Sequence, residues 1–505
     1  MSRTSTWRAK ALVGLFSAAL LLSACSEPQA GSTTPVDGGG DARIRVAFMQ
    51  PPKSAMHPFS DDAFKYSRTS SAETLVRLDE NVVPQPLLAT GWERPDDLTW
   101  VFTLRDDVVF HDGSQFTAET VKNTLDVAGA ATAPPRALAG ITLSTEVTAE
   151  NEVTITTDVV DTMLPNRLAS PQLSIFTPDA YGADGTFDPV GTGSGPFEIV
   201  EVDGTTTMTL DRFEDYWGDT ALAAGIDASF VPDGTARASA LRADEVDVAE
   251  TIPISQLSLL DESMIHEVFM PRTTHLALNT ESGPFADPAV RAAAREAIDP
   301  EAIIDSIYEG HADPAVGLLG PAVPWAAEGR GDVESATAPG PVDGVEITLA
   351  TYTDRAENPE IAVLLQAQLE EAGFVVTQDV REYAHMEAEM LGGEFDAVII
   401  SRNIMLDTGD PLSALAQDFG CDGGYNISML CDETIDAALT AAMEYEPGSA
   451  REAGTMAAEA AILQTTATIP LVHERVVRGG LEGVTDVTDD PMERTLITQY
   501  SSSEG

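Results

Sequence analysis

Few residues in this chain are spaced for covalent or metal chemistry. Its seven histidines, His57, His111, His266, His275, His311, His385 and His473, are scattered and form no HExxH or HxH pair, so none has the neighbour that zinc ligation asks for. Each reads as a solvated or hydrogen-bonded structural residue. The run GTGSGPF at residues 191–197 invites comparison with a nucleotide loop or a hydrolase elbow. Its glycines lack the dinucleotide spacing, and Ser194 has Thr192 and Pro196 where an elbow needs glycines. It reads as a tight turn between strands. No paired nucleophile and base is visible, so no catalytic residue, cofactor or metal site is expected, although triads assemble in space.

The cysteines have other work. Cys421 and Cys431 lie in FGCDGGYNISMLCDE; outside the cytoplasm such an even pair reads as a disulfide closing a small loop, and two thiols with no histidine between them are too few for a metal. Cys25 follows MSRTSTWRAK, which carries three positive charges and no acid, and the apolar run ALVGLFSAALLL. That is the layout of a secretory signal. Leu22-Ser23-Ala24-Cys25 resembles the bacterial lipobox, which implies a diacylglyceryl thioether on Cys25 and cleavage just before it. Residues 1–24 are thus expected to be a lipoprotein signal peptide and 25–41, rich in Pro, Gly, Ser and Thr, a flexible tether.

The chain has 28 Lys and Arg against 82 Asp and Glu, a formal charge of −54 over 505 residues. Loss of residues 1–24 takes it to −57. Such a field excludes nucleic acid and bare anionic membrane as surface partners, and reads chiefly as solvation of the surface in saline or alkaline surroundings. With 43% hydrophobic residues, a chain of this length suits two or three domains with a cleft between them.

The elements that must position any site are α/β. Ile44, Val46 and Phe48 alternate as a strand, and Thr117 can cap a helix, with Thr120 a weak substitute for the capping-box Glu. From Val345 the pattern is β-α-β-α-β: VEITLATY, then a helix with Ile361, Leu364, Leu365 and Leu369 on one face and Gly373 as its stop, then FVVTQDV, a short helix and FDAVIIS. A parallel sheet binds ligands beyond its carboxyl ends, which here are Thr353-Asp354-Arg355 and Ser401-Arg402-Asn403.

The stretch AETLVRLDENVVPQPLLATGWERPDDLTWVFTLRDDVVFHDGSQFTAETV at residues 72–121, followed in order by PVGTGSGPFEIVEV, LDRFEDYWGD, ARASALRADEVDVAE, LALNTESGPFADPAVRAAAREAIDPEAII, EFDAVIIS and TIPLVHE, resembles the extracellular solute-binding proteins of ABC importers that take up oligopeptides, dipeptides and nickel chelates. The likeness covers about residues 42 to 480. It implies a two-lobe periplasmic-binding-protein-like α/β fold: lobe I at 42–274 with an extra subdomain at about 80–190, completed by 471–505, and lobe II at 275–470. The hinge would cross near His275-Leu276 and Leu471–His473. The implied function is a monomeric receptor, lipid-anchored outside the cytoplasm, that closes on a peptide-like solute and hands it to the permease's membrane subunits; it is not an enzyme.

By resemblance, Asp407, four residues before Pro411, is placed to hold a ligand ammonium, with a solvated loop acid or helix cap as the plainer account. Arg402 and Arg355 could meet a ligand carboxylate or make salt bridges to the many acids. Arg402 and Asn403 stand where peptide binders have an aromatic. His57, in Met56-His57-Pro58, falls on the opposite wall, and Trp325 offers a stacking surface or a core ring. A nickel chelate is the alternative solute, with His57 and His275 as contacts and Arg402 meeting the chelator. A secreted hydrolase or a sensor on this fold is the alternative of another class.

Overall fold

The computed structural model describes residues 42–504 apart from 332 and 334; the signal, Cys25 and the tether lie outside them. An eleven-stranded mixed sheet runs through a two-lobe α/β fold. In spatial order its strands are Val375–Arg381, Glu346–Tyr352, Ala397–Asn403, Ile265–Leu278, Thr468–Gly480, Val248–Ala249, Ile44–Phe48, Gly225–Phe230, Thr207–Arg212 and Phe197–Asp203, with Ala312–Pro314 added beside Thr468–Gly480. Glu346–Tyr352 pairs in parallel with both Val375–Arg381 and Ala397–Asn403. The helix Glu357–Ala372 buries Ile361, Leu365 and Leu369, with Leu364 half-buried beside them. It stops at Gly373, whose φ of 112° needs a residue without Cβ.

Two long antiparallel strands, Ile265–Leu278 and Thr468–Gly480, pair with one another in the middle of this sheet. The expected crossings at His275-Leu276 and Leu471–His473 fall inside them. Their ladder breaks between Phe269 and Thr273, where three residues of one strand, Met270 to Arg272, oppose Glu474 alone on the other, which runs from Arg475 to His473. Pro271 sits in that break and has no N–H to give a ladder; the bulge that absorbs it turns Arg272 toward the space between the lobes.

A separate four-stranded sheet, in the order Ala89–Asp96, Thr99–Leu104, Glu152–Thr157, Leu143–Ala149, encloses its own core with the helix Ala118–Ala130. Thr117 caps that helix by accepting from the Thr120 N–H, and Thr120 Oγ1 accepts from the Thr117 N–H, so the threonine does complete the box. At the other end of the chain Leu496 and Ile497 pack with Ile44, Val46 and Phe197. Among the described residues no helix is long and apolar enough to cross a membrane.

GTGSGPF is not a turn between two strands but a close passage leading from coil into Phe197–Asp203. A Cβ on Gly195 would lie 2.0 Å from the Ser70 carbonyl, and one on Gly193 2.1 Å from that of Ser71. This approach brings Ser194 Oγ within 2.8 Å of Glu73, a buried carboxylate that also accepts from Tyr216 OH at 3.0 Å and Trp217 Nε1 at 3.0 Å. Burial pushes the Glu73 carboxyl up to about 7, against those donors. Its folded pKa exceeds the unfolded value, so the stability tied to its proton is whole below about pH 4.5 and is lost as pH rises through 7. We expect unfolding free energy of the native sequence to fall between pH 4.5 and 7.5 by on the order of 2–3 kcal/mol more than that of Glu73→Gln, in urea titrations at each pH. Parallel curves would contradict this.

Candidate functional site

Between the lobes lies a cavity of about 980 Å³. Its floor is built where the bulge, the carboxyl ends of the parallel strands and the C-terminal tail meet. Glu474, on the second long strand, is nearly enclosed; its Oε2 lies 2.7 Å from Arg355 Nη1 and its Oε1 accepts from Thr274 Oγ1 at 2.6 Å and from Ser401 Oγ. Arg272 Nε stands 3.9 Å from the same carboxylate and makes no hydrogen bond, while Arg272 Nη2 pairs with Glu493 at 2.8 Å. Glu493 also accepts from Asn403 Nδ2 at 3.3 Å, and its carbonyl accepts from Arg68 Nε at 2.7 Å. Arg68 reaches Glu250 at 3.1 Å. Burial would raise both glutamates, but Arg355 and Arg272 hold Glu474 below its usual range, and Arg272, Arg68 and Arg355 hold Glu493 down to about 2.

Along the lobe II wall, Arg402 forks onto buried Asp418 at 2.8 and 2.6 Å and lies 4.0 Å from the centre of the Tyr425 ring. The Tyr425 and Tyr383 hydroxyls are 2.6 Å apart, and Tyr383 OH donates to Glu387 at 2.7 Å. Asp407 faces the opposite lobe. Arg136 spans to it, with Nε 3.2 and 3.1 Å from its two oxygens and Nη2 at 3.0 Å, and the same Nη2 lies 2.8 Å from Asp61. The helix Pro411–Phe419 is capped by Asp410, not Asp407.

Of the expected contacts, Asp407, Arg402, Asn403 and Arg355 line the cavity together, each already engaged by a partner within the chain. His57, His275 and Trp325 do not line it. The His57 ring packs edge-on against Phe59, and its Nδ1 accepts from the Phe59 N–H. His275 is buried in the first long strand beside a void of about 10 Å³ behind Arg402 and Asp418, and burial takes its imidazole down to about 4. Trp325 packs against the Leu319, Val323 and Met456 cluster. No histidine lines the cavity, and among the described residues no group of three or more His, Cys, Asp or Glu is arranged to hold a metal. Cys421 and Cys431 are joined in a disulfide.

The sequence reading missed Arg272, Arg68, Arg136, Glu474 and Glu493. Pro271 inside an alternating strand was the available signal for Arg272; the others come from segments far apart in the chain. The structure adds a regularity that composition alone does not show: ten of the 28 Lys and Arg line the cavity against only eleven of the 82 Asp and Glu. The cleft is close to neutral in a chain that is not.

A family model described as bacterial extracellular solute-binding proteins, family 5 Middle, matches residues 83–426. The glutathione-binding protein GsiB of Salmonella typhimurium is 27% identical over 438 residues, 81% of this chain and 85% of its own. The nickel-binding protein NikA of Staphylococcus aureus is 25% identical over 439 residues, 85% of each. Among solved structures, the dipeptide-binding protein of Pseudoalteromonas sp. SM9913 with Met-Leu superposes with a TM-score of 0.79 at 21% identity, over 91% of this chain and all of its own. NikA of Staphylococcus aureus with Ni(L-His)2 gives 0.78 at 20% identity, over 92% and 100%.

The floor network makes a direct prediction. Glu474→Gln leaves Arg355 enclosed without its counter-charge, which should cost on the order of 3–5 kcal/mol in denaturant unfolding, and the double change Glu474→Gln with Arg355→Gln should recover a large part of that loss. A single-mutant loss below about 1 kcal/mol would rule out a desolvated pair.

Proposed function

The chain belongs to the bacterial extracellular solute-binding proteins of family 5, and from that premise we propose that it is the receptor of an ABC importer, closing on a peptide-like solute and delivering it to the permease. The observation that carries the peptide-like reading is the gathering of ten Lys and Arg side chains around the cleft of a strongly acidic chain. Carboxylates and backbone carbonyls of a peptide are the acceptors such a lining suits, through forked, charge-assisted hydrogen bonds. The cavity volume sits at the upper end of the range for small-molecule sites, ample for a short peptide. Taking the lobes from mostly open to mostly closed needs about 5.5 kcal/mol of differential binding.

In this reading lobe I comprises 42–274 with its subdomain at about 80–190 and the returning 471–505, and lobe II comprises 275–470. Arg355, Arg402 and Asn403, at the strand ends, face the solute, and their internal partners keep them oriented before it arrives. A nickel chelate is the second reading, supported by the likeness to NikA. With no histidine in the lining, the metal would have to enter with its own ligands. The receptor acts outside the cytoplasm, anchored by lipid on Cys25.

Mass spectrometry of small molecules released on denaturing the purified protein tests the solute class. Peptides, or γ-linked peptides such as glutathione, are expected; a sugar, or a metal chelate without peptide, would refute the reading. Cys25→Ser should move the protein from the membrane fraction to the soluble extracytoplasmic fraction without changing ligand affinity, and retention at the membrane would refute the anchor.

A further inference from the structure

Asp61 and Asp407 face one another across the lobe interface with Arg136 between them, and all three line the cavity. Arg136 is presented by a braced turn. The Ala137 and Ala139 carbonyls that follow it accept from Arg167 Nη1 at 2.8 and 3.1 Å, and Arg167 is pinned in turn to Asp161. The loop carrying Asp407 is fixed just as firmly, by contacts with the other lobe. Gly409 packs so tightly on Val82 and Leu78 of the other lobe that an added Cβ would lie 2.3 Å from Val82 Cγ1, and the Leu406 carbonyl accepts from Arg494 Nη2 at 3.0 Å. A second pair, Arg94 with Glu446, and a hydrogen bond from Thr162 Oγ1 to the Tyr445 carbonyl close the same rim. The lobes are therefore together here, and Asp407 has its charge met by an arginine of the chain itself.

We propose that Arg136 is a specificity-determining clasp: it fills the Asp61–Asp407 acid pair with the chain's own cation, so that closure at this point does not draw on a cationic end of the solute. The inference rests on the peptide-like reading for its choice of probe, but not for its conformational half. A guanidinium meeting Asp407 through two nitrogens and Asp61 through one outmatches an ammonium, which is a compact, strongly hydrated point charge. An incoming amine would have to break a forked pair that closure itself assembles. The cleft then accepts a blocked or absent amino terminus as readily as a free one, and discriminates through the anionic and apolar parts of the solute. Because the three side chains are about a third to a half exposed to cavity water, the clasp biases closure rather than locking it.

The test pairs tri-alanine with N-acetyl-tri-alanine in calorimetry, and measures ligand-free interlobe distance by small-angle X-ray scattering, for the native sequence, Arg136→Gln and Asp407→Asn. The native protein should bind the two peptides within about threefold of each other. Arg136→Gln, with its acid pair unfilled, should favour tri-alanine about tenfold or more, and both variants should be more open than the native protein without ligand. A native preference for tri-alanine of tenfold or more would overturn the proposal, as would an Arg136→Gln protein with native scattering. If no form binds either peptide, the peptide-like reading fails, and the scattering alone decides the clasp.

Discussion

The enclosed Glu474 carboxylate is the interaction on which the architecture turns. It sits on one of the two long strands paired in the middle of the sheet and gathers a strand-end arginine, a hydroxyl from the partner strand and a hydroxyl from the parallel sheet around one charge. Placing a carboxylate there is costly, and removing any partner leaves a desolvated group without compensation. The three segments that converge on it, Thr351–Arg355, Thr274 and Ser401–Asn403, are accordingly held in one arrangement. Tyr352, Asp354 and Arg355 of the first segment and Ser401 to Asn403 of the last face the cavity, so the demand that Glu474 be satisfied fixes the cleft floor.

The Pro271 bulge shows how local sequence serves that arrangement. A proline in a long strand would normally mark an edge, yet here it lies in a strand paired on both sides. The ladder yields by two residues, and the displaced segment carries Arg272 to the floor, where it bridges toward Glu474 and pairs with Glu493 of the tail. A regular strand would have sent alternate side chains to fixed faces; the irregularity allows this one to be re-aimed.

What was legible in the sequence follows the range of the physics. The β-α-β-α-β run, the Gly373 stop and the Thr117 cap depend on neighbours within a few residues and could be read directly. Arg402, Asn403 and Arg355 could be placed at the cleft because strand ends are where parallel sheets expose side chains. Their partners could not: Arg136 meets Asp407 across 271 residues, and Arg355 meets Glu474 across 119. GTGSGPF was misread for a related reason, since its glycines answer to the Ser70 and Ser71 backbone rather than to a turn of their own. His275 and Trp325 carry side chains suited to ligands, and only tertiary packing shows that each is spent on a core.

The charge distribution joins these points. A chain at −54 repels an anionic solute at long range, to a degree that salt reduces within about 10 Å at ordinary ionic strength. Concentrating cations around the cleft offsets that field where the solute must settle, but nearly every one of them is paired within the chain, so the lining offers orientation more than free charge. A solute gains little merely by being anionic. Under the proposed function it would gain by forking onto arginines whose internal partners already hold them in place, so that little side-chain entropy is left to lose on binding. In the proposed reading, preorganised, compensated arginines would let a very acidic protein hold an acceptor-rich solute while keeping its surface solvated and its cleft from collecting arbitrary anions.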